Sequence, residues 1–414
     1  MITTLGHAGT HRRVAITVGA GFVPGTNAVI LGAALAGGKL GWEMVGIRDG
    51  FEGLLHPDRY PDGGLVALSP ELIENLDPAT GGILGQAPRV DPFHVRTADA
   101  DRTVAEADLS DELLKRLKAE DIDALISVVS RQGLGILHKL HYKGLHTVCI
   151  PKSIENDIPA TSISFGFNSA LSFTIEMLMR AKQAAKSARK IAVVEVIGTQ
   201  AGWLALQAGI AVSADAVLLP EIQCNLNLLA QRLEEKISSR RPYGLVIVAE
   251  GVKLRKKPLQ EEITSPHQAV LTPKHRTALS LKASLPPQAL GEASVQVIIP
   301  PDRAAETVAN ELRLLLAMEP YPLVVGPWAR GGEPTAVDLQ LGMAYGAGAI
   351  QALKSSKNGV MVSFVPPQIT YVPLAEAIDK VRTVPADCEF VKIAESLGIY
   401  LGNFSAKNGM QSDQ

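Results

Sequence analysis

The stretch Val14-Ala15-Ile16-Thr17-Val18-Gly19-Ala20-Gly21-Phe22-Val23-Pro24-Gly25-Thr26-Asn27-Ala28 decides the fold. Val14 to Val18 is a short apolar strand, a glycine-rich turn follows, and Ala28 to Leu35, rich in Ala, Ile and Leu, reads as a helix. Strand, glycine turn and helix in that order open an α/β fold. The turn can present backbone N–H groups and a helix N-terminus to an anion. It departs from the dinucleotide fingerprint G-x-G-x-x-G, because the third glycine arrives one residue late with Pro24 before it. The same glycines also serve a plain tight turn between strand and helix.

The alternation recurs downstream. Leu113, Leu114 and Leu117 mark one helix face, Ser110 reads as its N-cap, and Ala124–Val129 supplies the next buried strand. Apolar runs at 147–150, 191–197, 216–219 and 244–249 have strand length and lie between helical stretches. Continuous apolar strands of this kind belong to parallel sheets covered by helices on both faces. Val196 to Ala214 is uncharged, yet Thr199, Gln200, Gln207 and interspersed glycines interrupt it, so it reads as strand, turn and helix in a core rather than a membrane span. Lys253 to Pro301 has a basic run, several prolines and weak periodicity, and reads as an inserted surface region whose charges are solvated rather than gripping an anion.

A length of 414 residues predicts two packed domains. With 46% hydrophobic and 20% charged residues the chain can bury a large core, which excludes a disordered protein. Lys and Arg number 40 against 42 for Asp and Glu, a net charge of −2, so no general positive field favours nucleic acid. Cys149, Cys224 and Cys388 are an odd count without C-x-x-C spacing, which argues against a disulfide framework or a zinc site. The start lacks a basic region followed by an apolar one, and the expected location is the cytoplasm.

Polar chemistry gathers where the apolar runs end. Pro151-Lys152-Ser153-Ile154-Glu155-Asn156-Asp157 puts carboxylates, an amide, a hydroxyl and a lysine directly after a strand. Glu221 follows another run, Glu250 a third, and Arg330 stands in the turn Ala329-Arg330-Gly331-Gly332. Strand C-termini are where open α/β sheets hold ligands.

In these motifs the chain resembles the phosphofructokinase family, collinearly over most of its length. The family's G-G-D-x-P-G-x-N is similar to Gly19–Asn27, its Y-D-G-Y-x-G-L to Arg48–Leu54, and its G-G-T-x-L-G-S-S-R to Gly81–Arg89. The P-K-T-I-D-N-D of the pyrophosphate-using branch resembles Pro151–Asp157, V-E-V-M-G-R resembles Val194–Thr199, and Q-R-G-G resembles Ala329–Gly332. The resemblance implies two α/β/α domains, Rossmann-like with parallel sheets, and a site between them. It implies a donor domain over 1–166 plus about 329–380, and a sugar-phosphate domain over 167–328 plus about 381–414 with the insertion at about 253–301. It further implies phosphoryl transfer to fructose 6-phosphate in glycolysis, in dimers or tetramers whose neighbouring subunits complete the sugar-phosphate pocket.

Carried over by position, the resemblance makes Glu155 the base, with Asp157 and Ser153 beside it. Gly19, Ala20, Gly21, Arg131, Gln132 and Lys152 fall at the donor, and Lys190, Ile197, Gly198, Thr199, Glu250, Tyr321, Pro327 and Arg330 at the sugar phosphate. Several types depart from the family. Glu155 replaces an Asp; Thr199, Lys190 and Tyr321 replace arginines; Pro327 replaces a histidine. Arg131 stands where G-G-D-G carries the aspartate associated with Mg²⁺. Unit charges about 4 Å apart at an effective dielectric of ~20 interact by roughly 4 kcal/mol, so this exchange turns attraction for Mg²⁺ into repulsion. Gln132 crowds the space that ATP-using members leave for nucleotide phosphates, and Lys152 matches the pyrophosphate-using branch. The expected function is transfer from pyrophosphate rather than ATP. The alternative is a silent regulatory or structural paralogue of an active relative, and a third reading is an altered anionic ligand held by Arg131 and Lys152 without a metal.

Overall fold

The computed structural model describes residues 12–85, 91–98, 104–255, 296–297, 303–378 and 380–402. Its strands, in chain order, are β1 (Arg13–Val18), β2 (Glu43–Ile47), β3 (Leu65–Ala67), β4 (Val95–Ala98), β5 (Val104–Ala107), β6 (Ala124–Val129), β7 (Thr147–Pro151), β8 (Ile191–Val196), β9 (Ala216–Leu218), β10 (Gly244–Ala249), β11 (Leu254–Arg255), β12 (Gln296–Val297), β13 (Pro320–Val324), β14 (Val360–Val365) and β15 (Gln368–Pro373). They form a seven-stranded sheet in the order β15-β14-β7-β6-β1-β2-β3, a four-stranded sheet in the order β13-β8-β10-β9, and two small antiparallel pairs. The four-stranded sheet is all parallel, and the larger one is parallel except for its antiparallel edges β3 and β15.

Alternation along each strand builds the layers. On one face of the large sheet Val14, Ile16, Ile126, Val128, Val148 and Ile150 pack with Val29 and Ile30 of the helix Thr26–Gly38 and with Tyr345 and Ile350 of the helix Ala336–Lys354. Ala15, Val45, Leu125 and Cys149 point the other way, onto Leu113 and Leu117 of Ser110–Ala119 and Leu134, Leu137 and Leu140 of Arg131–Tyr142. The smaller sheet repeats the scheme, with Ile191, Val193, Val246 and Val248 packed on Leu229, Leu233, Val308 and Leu312. The expected pair of helix-covered parallel sheets is therefore present. The core of the large sheet continues without a break through Ala192, Val194 and Ile247 of the smaller one.

Two helices meet unusually closely in the first layer. A Cβ on Gly32 would lie 2.3 Å from the Met343 carbonyl oxygen, and one on Gly346 would lie 2.2 Å from that of Val29, so backbone packs on backbone. The helix Phe167–Ala188 joins the sheets, and its N-terminus is capped from the helix Ala336–Lys354. Asp338, fully buried, accepts from Gly166 N at 3.0 Å, Ser169 N at 2.7 Å and Ser169 Oγ at 2.6 Å.

The expected cap at Ser110 is corrected. Ser110 is itself the first helical residue, and Asp108 Oδ1, two residues back, accepts its N–H at 2.8 Å. Most of the stretch read as an insertion, and Gln86–Arg89, lie outside the described residues. Among the described residues, no helix is long and apolar enough to cross a membrane.

Candidate active site

Chain segments leaving the ends of β1, β6, β7, β8 and β10 converge on one cleft. After β1, Gly19 N donates to Val128 O at 2.9 Å, and Gly21 and Gly25 adopt φ of +87° and +79°, a backbone that side chains resist. Lys152 lies beneath this turn, 1% exposed, with Nζ donating to Gly19 O at 2.5 Å and Gly21 O at 2.7 Å. Burial, followed by the charge of Arg330, brings its pKa down to about 7. Ala20 is partly exposed, and Gln132 is exposed on the first turn of its helix.

The turn after β7 is held by its own side chains. Ser153 Oγ donates to Asp157 Oδ1 at 2.5 Å and accepts Glu155 N at 3.1 Å. Asn156, at φ 54°, uses Oδ1 to accept Ser164 N at 2.9 Å. The second Asp157 oxygen accepts Arg131 Nε at 3.1 Å, and Arg131 Nη2 donates to Gln200 Oε1 at 2.8 Å. Arg131 thus links the large sheet to the loop after β8. As the first residue of its helix it is a cation at the positive end of the dipole, and the Asp157 carboxylate offsets that repulsion.

A second link runs through Glu155. Its Oε2 accepts the N–H of Thr199 at 3.1 Å, and Thr199 Oγ1 donates to Glu250 Oε1. Gly251 N donates to Gly198 O at 3.1 Å, and a Cβ on Gly251 would sit 1.9 Å from Thr199 O, so that position requires glycine. Burial, then the charge of Asp157 and, more weakly, that of Glu250, push the Glu155 carboxyl up to about 7, while the Thr199 N–H and Arg330 pull the other way. Arg330 lies against the first turn, its Nη1 3.5 Å from where a Gly21 Cβ would stand. Among the described residues it makes no hydrogen bond or ion pair.

Ser153, Glu155, Asp157, Gly19, Gly21, Arg131, Lys152, Gly198, Thr199, Glu250 and Arg330 are therefore brought together, and Gln200 joins them. Gln200 directly follows the glycine motif of β8, but nothing in the sequence pairs it with Arg131. Of the remaining expected residues, Lys190 and Tyr321 are placed elsewhere, while Ile197 adjoins Gly198 and Pro327 shares the short helix of Arg330. Ile197 is 5% exposed and packs in the core, and Pro327 is exposed in the short helix Gly326–Arg330. Lys190 precedes β8 while Thr199 follows it, which separates them by roughly 20 Å at ~3.3 Å per residue. Lys190 pairs there with Glu319 at 2.6 Å, and Tyr321 on β13 buries its hydroxyl without a hydrogen-bond partner among the described residues. Within one chain these two do not reach the cleft.

The residues present do not fit a magnesium ion. Both Asp157 oxygens are engaged, by Ser153 and Arg131, and the guanidinium standing beside them repels a dication.

A family model described as phosphofructokinase matches residues 13–353. An ATP-dependent 6-phosphofructokinase 2 of Clostridium perfringens is 30% identical over 389 residues, covering 94% of this chain and 98% of that protein. A pyrophosphate–fructose 6-phosphate 1-phosphotransferase of Amycolatopsis mediterranei is 30% identical over 377 residues, covering 91% of this chain and 97% of that protein. Among solved structures, a pyrophosphate-dependent phosphofructokinase from Nitrosospira multiformis aligns with a TM-score of 0.69 at 17% identity, over 95% of this chain and 93% of that one. The Saccharomyces cerevisiae phosphofructokinase aligns with a TM-score of 0.64 at 22% identity over 88% of this chain, which spans 45% of the yeast chain. The motif order and these matches agree: the chain belongs to the phosphofructokinase family.

Proposed function

We propose that this chain transfers a phosphoryl group from pyrophosphate to fructose 6-phosphate. The observation that carries the reading is the placement of the buried Glu155 carboxylate, held from the turn after β7 by Thr199 N–H of the loop after β8, near Arg330, which lies against the first glycine turn. A carboxylate tuned near working pH is suited to general-base catalysis. Glu155 takes the proton of the attacking sugar hydroxyl, the hydroxyl oxygen bonds to the terminal phosphorus, and the anhydride bond breaks to release phosphate. Asp157 and Ser153 fix the turn that carries Glu155, and Lys152 shapes the donor turn from below.

Pyrophosphate is favoured over ATP because Gln132 crowds the nucleotide side and Lys152 matches the pyrophosphate-using branch. In this reading the donor side comprises 1–166 plus about 329–380, and the sugar side the remainder. Lys190 and Tyr321 serve the pocket of a neighbouring copy in a cytoplasmic dimer or tetramer. A coupled assay for fructose 1,6-bisphosphate with each donor tests the proposal, and absence of product with both donors sinks it. That outcome supports the second reading, a silent paralogue that partners an active relative. The observation favouring the second reading is the engagement of Asp157 by Arg131, joined by that of Glu250 with Thr199.

A further inference from the structure

We propose that Arg131 is the resident cation of the cleft, and that the chain binds its phosphoanhydride without a divalent metal. This rests on reading the cleft as a phosphoanhydride site. A guanidinium has five N–H donors in a planar fork and stays charged at any pH the fold survives. Arg131 commits Nε–H to Asp157 and one Nη2–H to Gln200. Among the described residues the remaining donors have no partner and face an anion's approach, on a side chain that is 25% exposed.

Its anchors come from both sides of the cleft: Asp157 from the turn after β7 and Gln200 from the loop after β8. The guanidinium is therefore held before any ligand arrives. Arg131 also opens the helix Arg131–Tyr142, whose N-terminal N–H groups favour the same anion. Arg330, without a partner among the described residues, lies against Gly21 and supplies a second positive charge. A metal would have to strip Asp157 from Arg131 and then sit beside the guanidinium it displaced.

Isothermal titration of the full chain with pyrophosphate, in EDTA and again in millimolar MgCl₂, tests this. Binding in EDTA with a Kd no weaker than in Mg²⁺ is expected. R131M is expected to weaken binding in EDTA at least tenfold, and R131K, which keeps the charge but loses the fork, to fall between. R131D is expected to bind pyrophosphate only when Mg²⁺ is added. A parallel titration with ATP in EDTA distinguishes a nucleotide source of the same anhydride. Binding by the wild-type chain only in Mg²⁺ overturns the inference and leaves the phosphotransfer reading standing. Unchanged affinity of folded R131M and R131K in EDTA does the same. No binding of pyrophosphate or ATP in either buffer overturns both.

Discussion

Glu155 Oε2 accepts the backbone N–H of Thr199 at 3.1 Å, so the candidate base after β7 is tied to the loop that follows β8 in the other sheet. One hydrogen bond thus fixes a carboxylate and spans the cleft. A group this close to its titration point makes both activity and stability depend on pH near neutrality.

In activity, the base must be ionised to accept a proton. The kcat/KM profile for pyrophosphate-driven transfer is expected to rise with pH through about 7, following the free-enzyme carboxyl. E155Q should lower kcat by ~10²-fold or more and remove that limb. A profile whose rising limb survives in E155Q would assign the titration to another group.

In stability, the folded carboxyl titrates at about 7 and the unfolded one at its ordinary 4.5. Between these values the folded chain holds the proton that the unfolded chain has lost. The stability contributed by Glu155 is therefore full below about 4.5 and is lost as pH rises through about 7. The interval is worth at most about 3 kcal/mol, less after solvent screening. Lys152 acts in the next window: its folded pKa of about 7 lies below the ordinary 10.5, so its contribution is present above 10.5 and lost as pH falls through about 7. Urea unfolding of wild type, E155Q and K152M across pH 5 to 10 checks both signs, with E155Q flattening only the acidic window.

Asp338 gives a prediction independent of catalysis. It is 0% exposed and accepts three hydrogen bonds at the start of the helix Phe167–Ala188. D338A leaves those buried donors unpaired and is expected to cost ~3 kcal/mol in chemical unfolding. S169A removes the hydroxyl bond to Asp338 and the one Ser169 Oγ accepts from Thr335 N, but leaves two backbone donors on Asp338 satisfied, and should cost less, ~1–2 kcal/mol. Equal losses for the two variants would contradict this ranking.

The close helix pair gives a packing prediction. G346A pushes a methyl group against the Val29 carbonyl and the helix Thr26–Gly38, whose backbone cannot yield locally. Destabilisation of ~1–3 kcal/mol is expected. G38A, where nothing lies within 4 Å, should instead be neutral or stabilising in the same thermal melts.

The sequence made the layered core legible because buried strands read as unbroken apolar runs, as in Ala124–Val129 and Gly244–Ala249. It concealed β13, where Pro320 and Pro322 argue against a strand. The structure removes the conflict: Val325 N donates inward to Glu195 O at 2.9 Å, so odd-numbered residues face β8 and the prolines lack N–H groups only on the open edge. In the site, the polar turn Ser153–Asp157 was legible from its density after a strand. The Arg131–Gln200 contact joins residues 69 apart, and local pattern carries no information about it. Lys152 could be assigned to the donor side by position, but its place beneath the turn depends on the path of Gly19–Gly21.

Lys190 separates a local role from one played in a neighbouring copy. Its ion pair with Glu319 is exposed and screened by solvent, so the pair itself should contribute little to stability. It stands at the opposite end of β8 from Thr199 and cannot touch sugar phosphate bound in its own chain's cleft. If a second copy places it there, K190A raises the KM for fructose 6-phosphate about tenfold or more, while the melting temperature and pyrophosphate affinity stay near wild type. Mixing K190A with an E155Q chain then supplies the decisive comparison. Mixed oligomers contain sites with a wild-type cleft and a wild-type Lys190 from the neighbour, so activity at low sugar phosphate should exceed the sum of the separate variants. Strictly additive activity from assembled mixtures would confine Lys190 to its ion pair and remove it from the sugar-phosphate pocket.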